Sequence, residues 1–311
     1  MAGLSRSGVL PAGVLFLSLV LASGAFAQAP RDAPRRVASA AGFSTPESVR
    51  YDLEQDVYFV TSIVGNPSAK DGAGFVSRLR PDGTVESLRW IEGGRGGATL
   101  NAPKGMALSG DTLWVADVDA VRAFHRRTGA PLATVELGAL GAAFLNDVAR
   151  GPDGALYVTD TGIAIDAQGA AKPVAPGRVF RLDGAGARVV LQGDALAMPN
   201  GIAADPAGGF LLAPAGGPAV QRWTPGEAAP RAVAEGPGSW DGVEVLPDGR
   251  VLVSSWADGA VHELRDGSLR PLVQGVKSPA DLGVDTRRGR VAVPLFTEDR
   301  VEIWTIPGGS R

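Results

Sequence analysis

The sequence predicts an all-β fold, a six-bladed β-propeller of four-stranded blades closed by an N-terminal strand. Three observations carry that reading. A short pattern recurs six times, each copy opens an apolar run that passes through a Gly/Pro turn into a second run, and no segment sustains a helical period. Units of roughly 45 residues match four-stranded blades better than a sandwich.

The elements follow in chain order. Residues 1–27 carry an early positive charge at Arg6, an apolar stretch from Val9 to Leu21 and the small-residue ending Ala25-Phe26-Ala27, the layout of a cleavable secretory signal. Pro11 and Gly13 leave that stretch short of the roughly 18 to 20 apolar residues that span a bilayer. Cleavage after Ala27 is therefore expected, with an exported product, periplasmic or secreted, that leaves the membrane. Residues 28–36, rich in Ala, Pro and charge, read as a flexible tether, and residues 37–307 as one propeller domain.

The motif is a turn residue, a polar residue, a small residue and then apolar alternation. Its copies are Pro46-Glu47-Ser48-Val49, Pro103-Lys104-Gly105-Met106, Leu145-Asn146-Asp147-Val148, Pro199-Asn200-Gly201-Ile202, Trp240-Asp241-Gly242-Val243 and Pro279-Ala280-Asp281-Leu282. Turns such as Pro152-Asp153-Gly154 and Pro247-Asp248-Gly249 lead to second runs at Val57–Ile63, Leu113–Val118, Leu156–Thr161, Phe210–Pro214, Val251–Trp256 and Val291–Phe296. More polar third strands follow, the last ending at Ile306. Arg36 to Ala41 is a strand-like piece left over before the first motif, and it predicts an outer strand that closes the last blade and removes open edges.

Composition narrows the function. With 30 Lys+Arg against 33 Asp+Glu the net charge is −3, so no basic field exists to hold nucleic acid. The absence of Cys and the presence of two His exclude thiolate sites and a three-His zinc site within one chain. No Gly-x-Ser-x-Gly elbow or Gly-x-x-x-x-Gly-Lys loop occurs, and Gly93 to Gly97 reads as a plain loop.

The first strand of each propeller blade lines the channel, so the polar motif positions converge there: Glu47, Lys104, Asn146, Asn200, Asp241 and Ala280. Two carboxylates and two amide oxygens around one point suit a hard divalent cation, Ca²⁺ first, with Mg²⁺, Mn²⁺ or Zn²⁺ as alternatives. Capping of the turns by Asn and Asp is the structural alternative at each single position. The motifs resemble those of the gluconolactonase and senescence-marker-protein family, which includes luciferin-regenerating enzyme, over residues 43–306. The resemblance implies a six-bladed propeller with one divalent cation held by Glu47, Asn146, Asn200 and Asp241. It also implies hydrolysis of a small lactone or ester, with Asp241 as base or nucleophile and Asp147 orienting a ligand or touching substrate.

Two features depart from sugar-lactone hydrolases. Phe144 stands where those enzymes place an Arg, and Lys104 puts an ammonium in the ring, there to repel a cation, pair with Glu47 or another blade, or meet an anionic substrate. Phe144, Met198, Trp240, Trp256 and Phe296 near the rim predict an apolar pocket, suited to a hydrophobic lactone or aryl ester. Trp114, Trp223 and Trp304 are expected in blade packing, and His125 and His262 at the surface. The insertion Gly162 to Gly177 reads either as a cover for the channel mouth or as a disordered loop. A monomer acting on a small molecule is expected; the rivals are a scaffold propeller without catalysis and a propeller lyase.

Overall fold

The computed structural model describes residues 1–3, 33–184 and 186–308. Residues 4–27 of the expected secretory signal and 28–32 of the expected tether lie outside the described residues. Every element below belongs to the unit Asp32–Arg311.

Six four-stranded antiparallel sheets stand around an axis. Their inner strands are Pro46–Asp52, Pro103–Ser109, Leu145–Arg150, Pro199–Ala204, Trp240–Val245 and the short Gly283–Asp285. Second strands run over Val57–Ser62, Thr112–Asp117, Leu156–Asp160, Phe210–Pro214, Val251–Ser255 and Arg290–Leu295, within two residues of the expected runs. Each reads as nearly continuous apolar sequence because both faces of a blade are covered. Val57 and Phe59 pack towards Met106 and Leu113 of blade 2, while Tyr58 and Val60 pack towards Ala292 and Ile303 of blade 6. Further clusters of this kind fill the other blade interfaces, so the core is a set of wedges between sheets.

The last blade is closed by the chain's own beginning. Arg35–Ala41 pairs antiparallel with Arg300–Thr305, from Arg35 opposite Thr305 to Ala41 opposite Arg300. The strand thus claims Arg35 and Arg36, the last two residues of the expected tether. Their backbone meets Thr305 and Trp304, and Arg36 reaches Glu302 at 2.6 Å. Blades 6 and 1 also join at the axis, where Asp281 N–H donates to Glu47 O at 2.9 Å and Val49 N–H to Asp281 O at 3.1 Å.

Apart from β-structure, the described residues form three 3₁₀ turns. Connections between second and third strands differ sharply around the ring. In blade 2 it is the tight turn Val118-Asp119, whereas blade 3 carries an extra hairpin, Ile163–Ile165 with Ala171–Pro173.

Candidate functional site

A bulge repeated at one place builds the site. In the inner strands of blades 1 to 5 the register with the second strand slips inside the motif, as between Pro46 and Val49 or Leu145 and Val148. Plain alternation would send the second and third motif residues to opposite faces; a bulge re-aims them. The second residue enters the channel, and the third lies against the next inner strand. That contact explains the small residues. A Cβ on Gly105 would come 2.2 Å from Asp147 Oδ1, and one on Gly242 2.6 Å from Asp281 Cα.

The N–H groups freed by the bulge are taken up by hydroxyls of the second strands. Thr61 accepts from Ser48 N–H at 3.0 Å, Thr159 from Asp147 N–H at 3.0 Å and Ser254 from Gly242 N–H at 2.8 Å. Thr159 and Ser254 donate onward to Asn200 O and Ala280 O in the following blades, at 2.5 and 2.9 Å. Sequence reasoning missed these three; their signal is a hydroxyl at the same place in three of the second runs.

Glu47, Lys104, Asn146, Asn200 and Asp241 line one cavity of about 560 Å³, and all but the half-buried Asn200 are buried. Ala280, the sixth position, contributes no oxygen. Asn146 gives its amide N–H to Thr161 Oγ1 at 3.0 Å, and Thr161 gives its own proton to Pro199 O at 2.9 Å. That order of donors turns Asn146 Oδ1 away from the wall. Glu47 Oε2, Asn146 Oδ1 and Asp241 Oδ1 are buried without a hydrogen-bond partner, a costly condition for polar atoms. Burial pushes the Glu47 carboxyl well above the usual carboxylate range, reinforced by Asp241 and Asp281 and opposed by Lys104. Asp241 is raised by burial and by Asp281, while hydrogen bonds from Trp256 and Asn200 favour its ionised form. Among the described residues no three His, Cys, Asp or Glu side chains are grouped to hold a metal. A cation here would need the amide oxygens beside the two carboxylates, and the ring supplies both kinds.

Lys104 forms no ion pair with Glu47 or with a carboxylate of another blade. No carboxylate among the described residues lies within 4 Å of its ammonium, which donates to Pro67 O at 3.1 Å and Ala102 O at 3.0 Å and sits 4.1 Å from the centre of the Phe144 ring. Burial pushes its pKa down to about 8 against the pull of Glu47, Asp117 and Asp160. Two aspartates at the ends of second strands, also missed, pin this corner. Asp117 accepts from Ala102 N–H at 2.8 Å, and Asp160 from Phe144 N–H at 2.8 Å and Gly162 N–H at 3.1 Å.

A second repeated device shapes the rim. The residue before the motif takes positive φ at Thr45, Met198, Ser239 and Ser278, and its carbonyl accepts from the residue just past the second strand: Ile63, Ala215, Trp256 and Phe296. The four residues so presented line the cavity. Trp256, 39% exposed, lies with its ring centre 5.1 Å from that of Phe296. Trp240 reaches the wall from behind, its ring buried and its indole N–H given to Pro218 O at 3.0 Å. Like Trp223, its ring packs between blades.

Two sequence expectations change. Asp147 does not line the cavity; its oxygens accept from Val148 N–H at 2.7 Å and Ile202 N–H at 2.8 Å, so it ties blade 3 to blade 4 beneath the ring. His262 is buried, not at the surface, because its strand packs under Trp240, whose ring it meets edge-on at 5.5 Å, and it contacts Asp258 at 2.9 Å. His125 is half-buried at a strand end, and neither histidine reaches the cavity.

Known structures share this architecture. A gluconolactonase from Xanthomonas campestris superposes with a TM-score of 0.64 at 20% identity, covering 88% of this chain and 89% of that one. Luciferin-regenerating enzyme gives 0.61 at 13% identity over 85% and 91%. A catalytically inactive His-to-Ala variant of virginiamycin B lyase from Staphylococcus aureus gives 0.56 at 13% over 84% and 94%. These likenesses establish the fold. No curated protein matches the chain in sequence. The family model described as the SMP-30/Gluconolactonase/LRE-like region matches residues 45–281, and with its motifs on the channel ring the chain belongs to that family.

Proposed function

We propose that the protein is an exported hydrolase of lactones or esters that depends on one divalent cation in the channel. Membership of a gluconolactonase-like family suggests lactone hydrolysis. The observation that carries the finer reading is the set of orphaned oxygens on Glu47, Asn146 and Asp241, brought from three blades to one cavity floor. Hard oxygen donors of this kind hold Ca²⁺, Mg²⁺ or Mn²⁺, with Asn200 completing the set. A bound dication would polarise the substrate carbonyl and stabilise the oxyanion that develops on it.

The chain's own groups do the rest. Asp241 takes the proton of the attacking water at Oδ1, or attacks the carbonyl carbon itself, and the donors Trp256 and Asn200 oppose the rise that burial and Asp281 impose on its pKa. Thr161 holds the Asn146 amide in its working orientation. Lys104 and Phe144 close the wall beside the ring. Export rests on residues 1–27. Among the described residues no helix is long and apolar enough to cross a membrane.

The test is metal content together with the Ca²⁺ or Mg²⁺ dependence of Tm, wild type beside Asp241→Ala, followed by turnover of lactones and aryl esters. A stoichiometric ion that stabilises wild type alone, with turnover lost in the variant, supports the reading. Failure to bind any dication would favour a scaffold propeller. A lyase like the Staphylococcus aureus relative, in which a His-to-Ala change abolishes catalysis, lacks support here because no histidine faces the cavity.

A further inference from the structure

The cavity is roofed on one side and open on the other, and both the roof and its fastening come from segments the ring chemistry does not use. Over blades 1 to 3 two long connections lean together above the short Val118-Asp119 turn of blade 2. One is the blade 1 loop through Gly65 and Pro67; the other is the blade 3 hairpin. They are bolted across the gap. Asn66 Nδ2 donates to Ile165 O at 3.0 Å and Asp166 O at 3.1 Å, and Ile165 N–H donates to Ser68 Oγ at 2.8 Å. Lys70 pairs with Asp119, and Lys104 holds the loop from below through Pro67 O. Opposite, the connections of blades 4 to 6 are short, and the partly exposed Trp256 marks an open side.

The roof is apolar where it faces inward. Ile163 and Ile165 point into the same space as Phe144 and Pro67, whereas the return strand Ala171–Pro173 is exposed. Lys104, the one ammonium among the cavity-lining residues, is spent on two carbonyls and the Phe144 face. Little remains there to read the hydroxyls of a sugar or the charge of an acid.

Resting on the hydrolase reading above, we infer that the space under the roof is a slot for the apolar tail of a neutral lactone or ester, and that Ile163 and Ile165 set its length. A substrate would enter past Trp256, place its carbonyl over the polar floor and run its tail under the hairpin. Each methylene buried there should raise kcat/KM roughly three- to fourfold until the slot is full.

The experiment uses the mature protein with Ca²⁺ and 4-nitrophenyl esters from acetate to decanoate, alongside γ-lactones of rising alkyl length and glucono-δ-lactone. Binding of 4-alkylphenols, followed by Trp fluorescence, gives a readout apart from turnover. The slot predicts a rise with chain length to a plateau in both assays. It also predicts a fall of about tenfold in the octanoate-to-acetate ratio for Ile165→Ser, with Ile163→Ser as a second variant should the first fold poorly. Asn66→Ala, which unbolts the roof without touching its lining, should flatten the ratio part of the way. Length-dependent alkylphenol binding without hydrolysis of any ester or lactone would keep the slot and remove the hydrolase reading. Hydrolysis that ignores chain length, or prefers the sugar lactone, would keep the hydrolase and overturn the slot, as would an unchanged ratio in both Ile variants.

Discussion

Two rings of polar side chains stand one residue apart in the same repeats, and the fold treats them in opposite ways. The lower ring, at the third motif position, is tied into the protein's own hydrogen bonds and ion pairs, with Asp281 Oδ1 and Arg50 Nε left over. Asp147 accepts two backbone N–H groups, Asp281 accepts from Ser48 Oγ at 2.5 Å, and Arg50, one pleat further down, pairs with Glu244 and lies 4.0 Å from Asp281. The upper ring, at the second position, keeps unpartnered oxygens on Glu47, Asn146 and Asp241, and no cation of the chain lies against them. Buried polar groups left unpaired are costly, and three of them converge on the cavity in the upper ring, the place where the proposed ligand would bind. The lower ring ties neighbouring blades together, and on the proposed reading the upper ring carries the chemistry.

The largest expected effect breaks the upper ring. Asp241→Asn should lower kcat/KM on the order of 10³-fold, as loss of a general base or nucleophile does, and abolish stabilisation by Ca²⁺. Without added metal the same variant should melt at or above the wild-type temperature, because it removes a buried carboxyl that lies close to Asp281 and has no counter-ion. Lower metal-free stability would mean that Asp241 is structural and that the contrast between the rings is wrong.

Arg50→Met breaks the lower ring. Glu244 and the nearby Asp281 would lose their cation, and stability should fall by about 3 kcal/mol, the lower end for a broken buried pair because this one reaches the opposite channel mouth. Urea unfolding with Arg50→Lys beside it, which keeps the charge and should lose less, measures the difference. Bound metal per chain should stay unchanged wherever the variant is folded.

Glu244 offers a finer probe of the same ring. Burial pushes its pKa up to about 7 against the pull of Arg50. A carboxyl raised in the folded state adds stability that is complete below the unfolded value near 4.5 and is lost as pH rises through about 7. Wild type should therefore lose about 1 to 2 kcal/mol relative to Glu244→Gln between pH 5 and 8. A parallel pH profile for the two proteins would show that Arg50 already holds Glu244 ionised.

Much of this contrast was legible in the sequence. The repeated motif placed Glu47, Asn146, Asn200 and Asp241 at one level, because any residue at a fixed offset in each blade returns to the axis. The bulge was not legible. Strand alternation says that Asn146 and Asp147 face opposite ways, and only the slipped register explains why Asp147 lies beneath the ring instead of lining the cavity. His262 was misplaced because a third strand reads as polar, yet here it is packed under a tryptophan from the inner strand. The hairpin half of the roof showed as the insertion Gly162 to Gly177, but its fastening left no pattern, since Asn66 meets Ile165 across two loops that share no period.

The smallest expected effect is also the finest cut between the rings, because two hydroxyls of one short segment serve one ring each. Thr161 takes the Asn146 N–H and so fixes an oxygen of the upper ring, while Thr159 takes the Asp147 N–H and stitches blade 3 to Asn200 O beneath it. Thr161→Val should weaken Ca²⁺ binding about tenfold, as loss of a ligand's supporting hydrogen bond does, and also lower the metal-free Tm by freeing Pro199 O. Thr159→Val should lower the metal-free stability alone, leaving buried N–H and C=O groups unpaired at about 1 to 3 kcal/mol while ion affinity holds within a few-fold. Calcium titration and metal-free melting of both variants give four values. If both substitutions weaken ion binding alike, the rings are one cooperative network; if only Thr161→Val does, the fold has kept ion binding and blade stitching on neighbouring hydroxyls of one repeat.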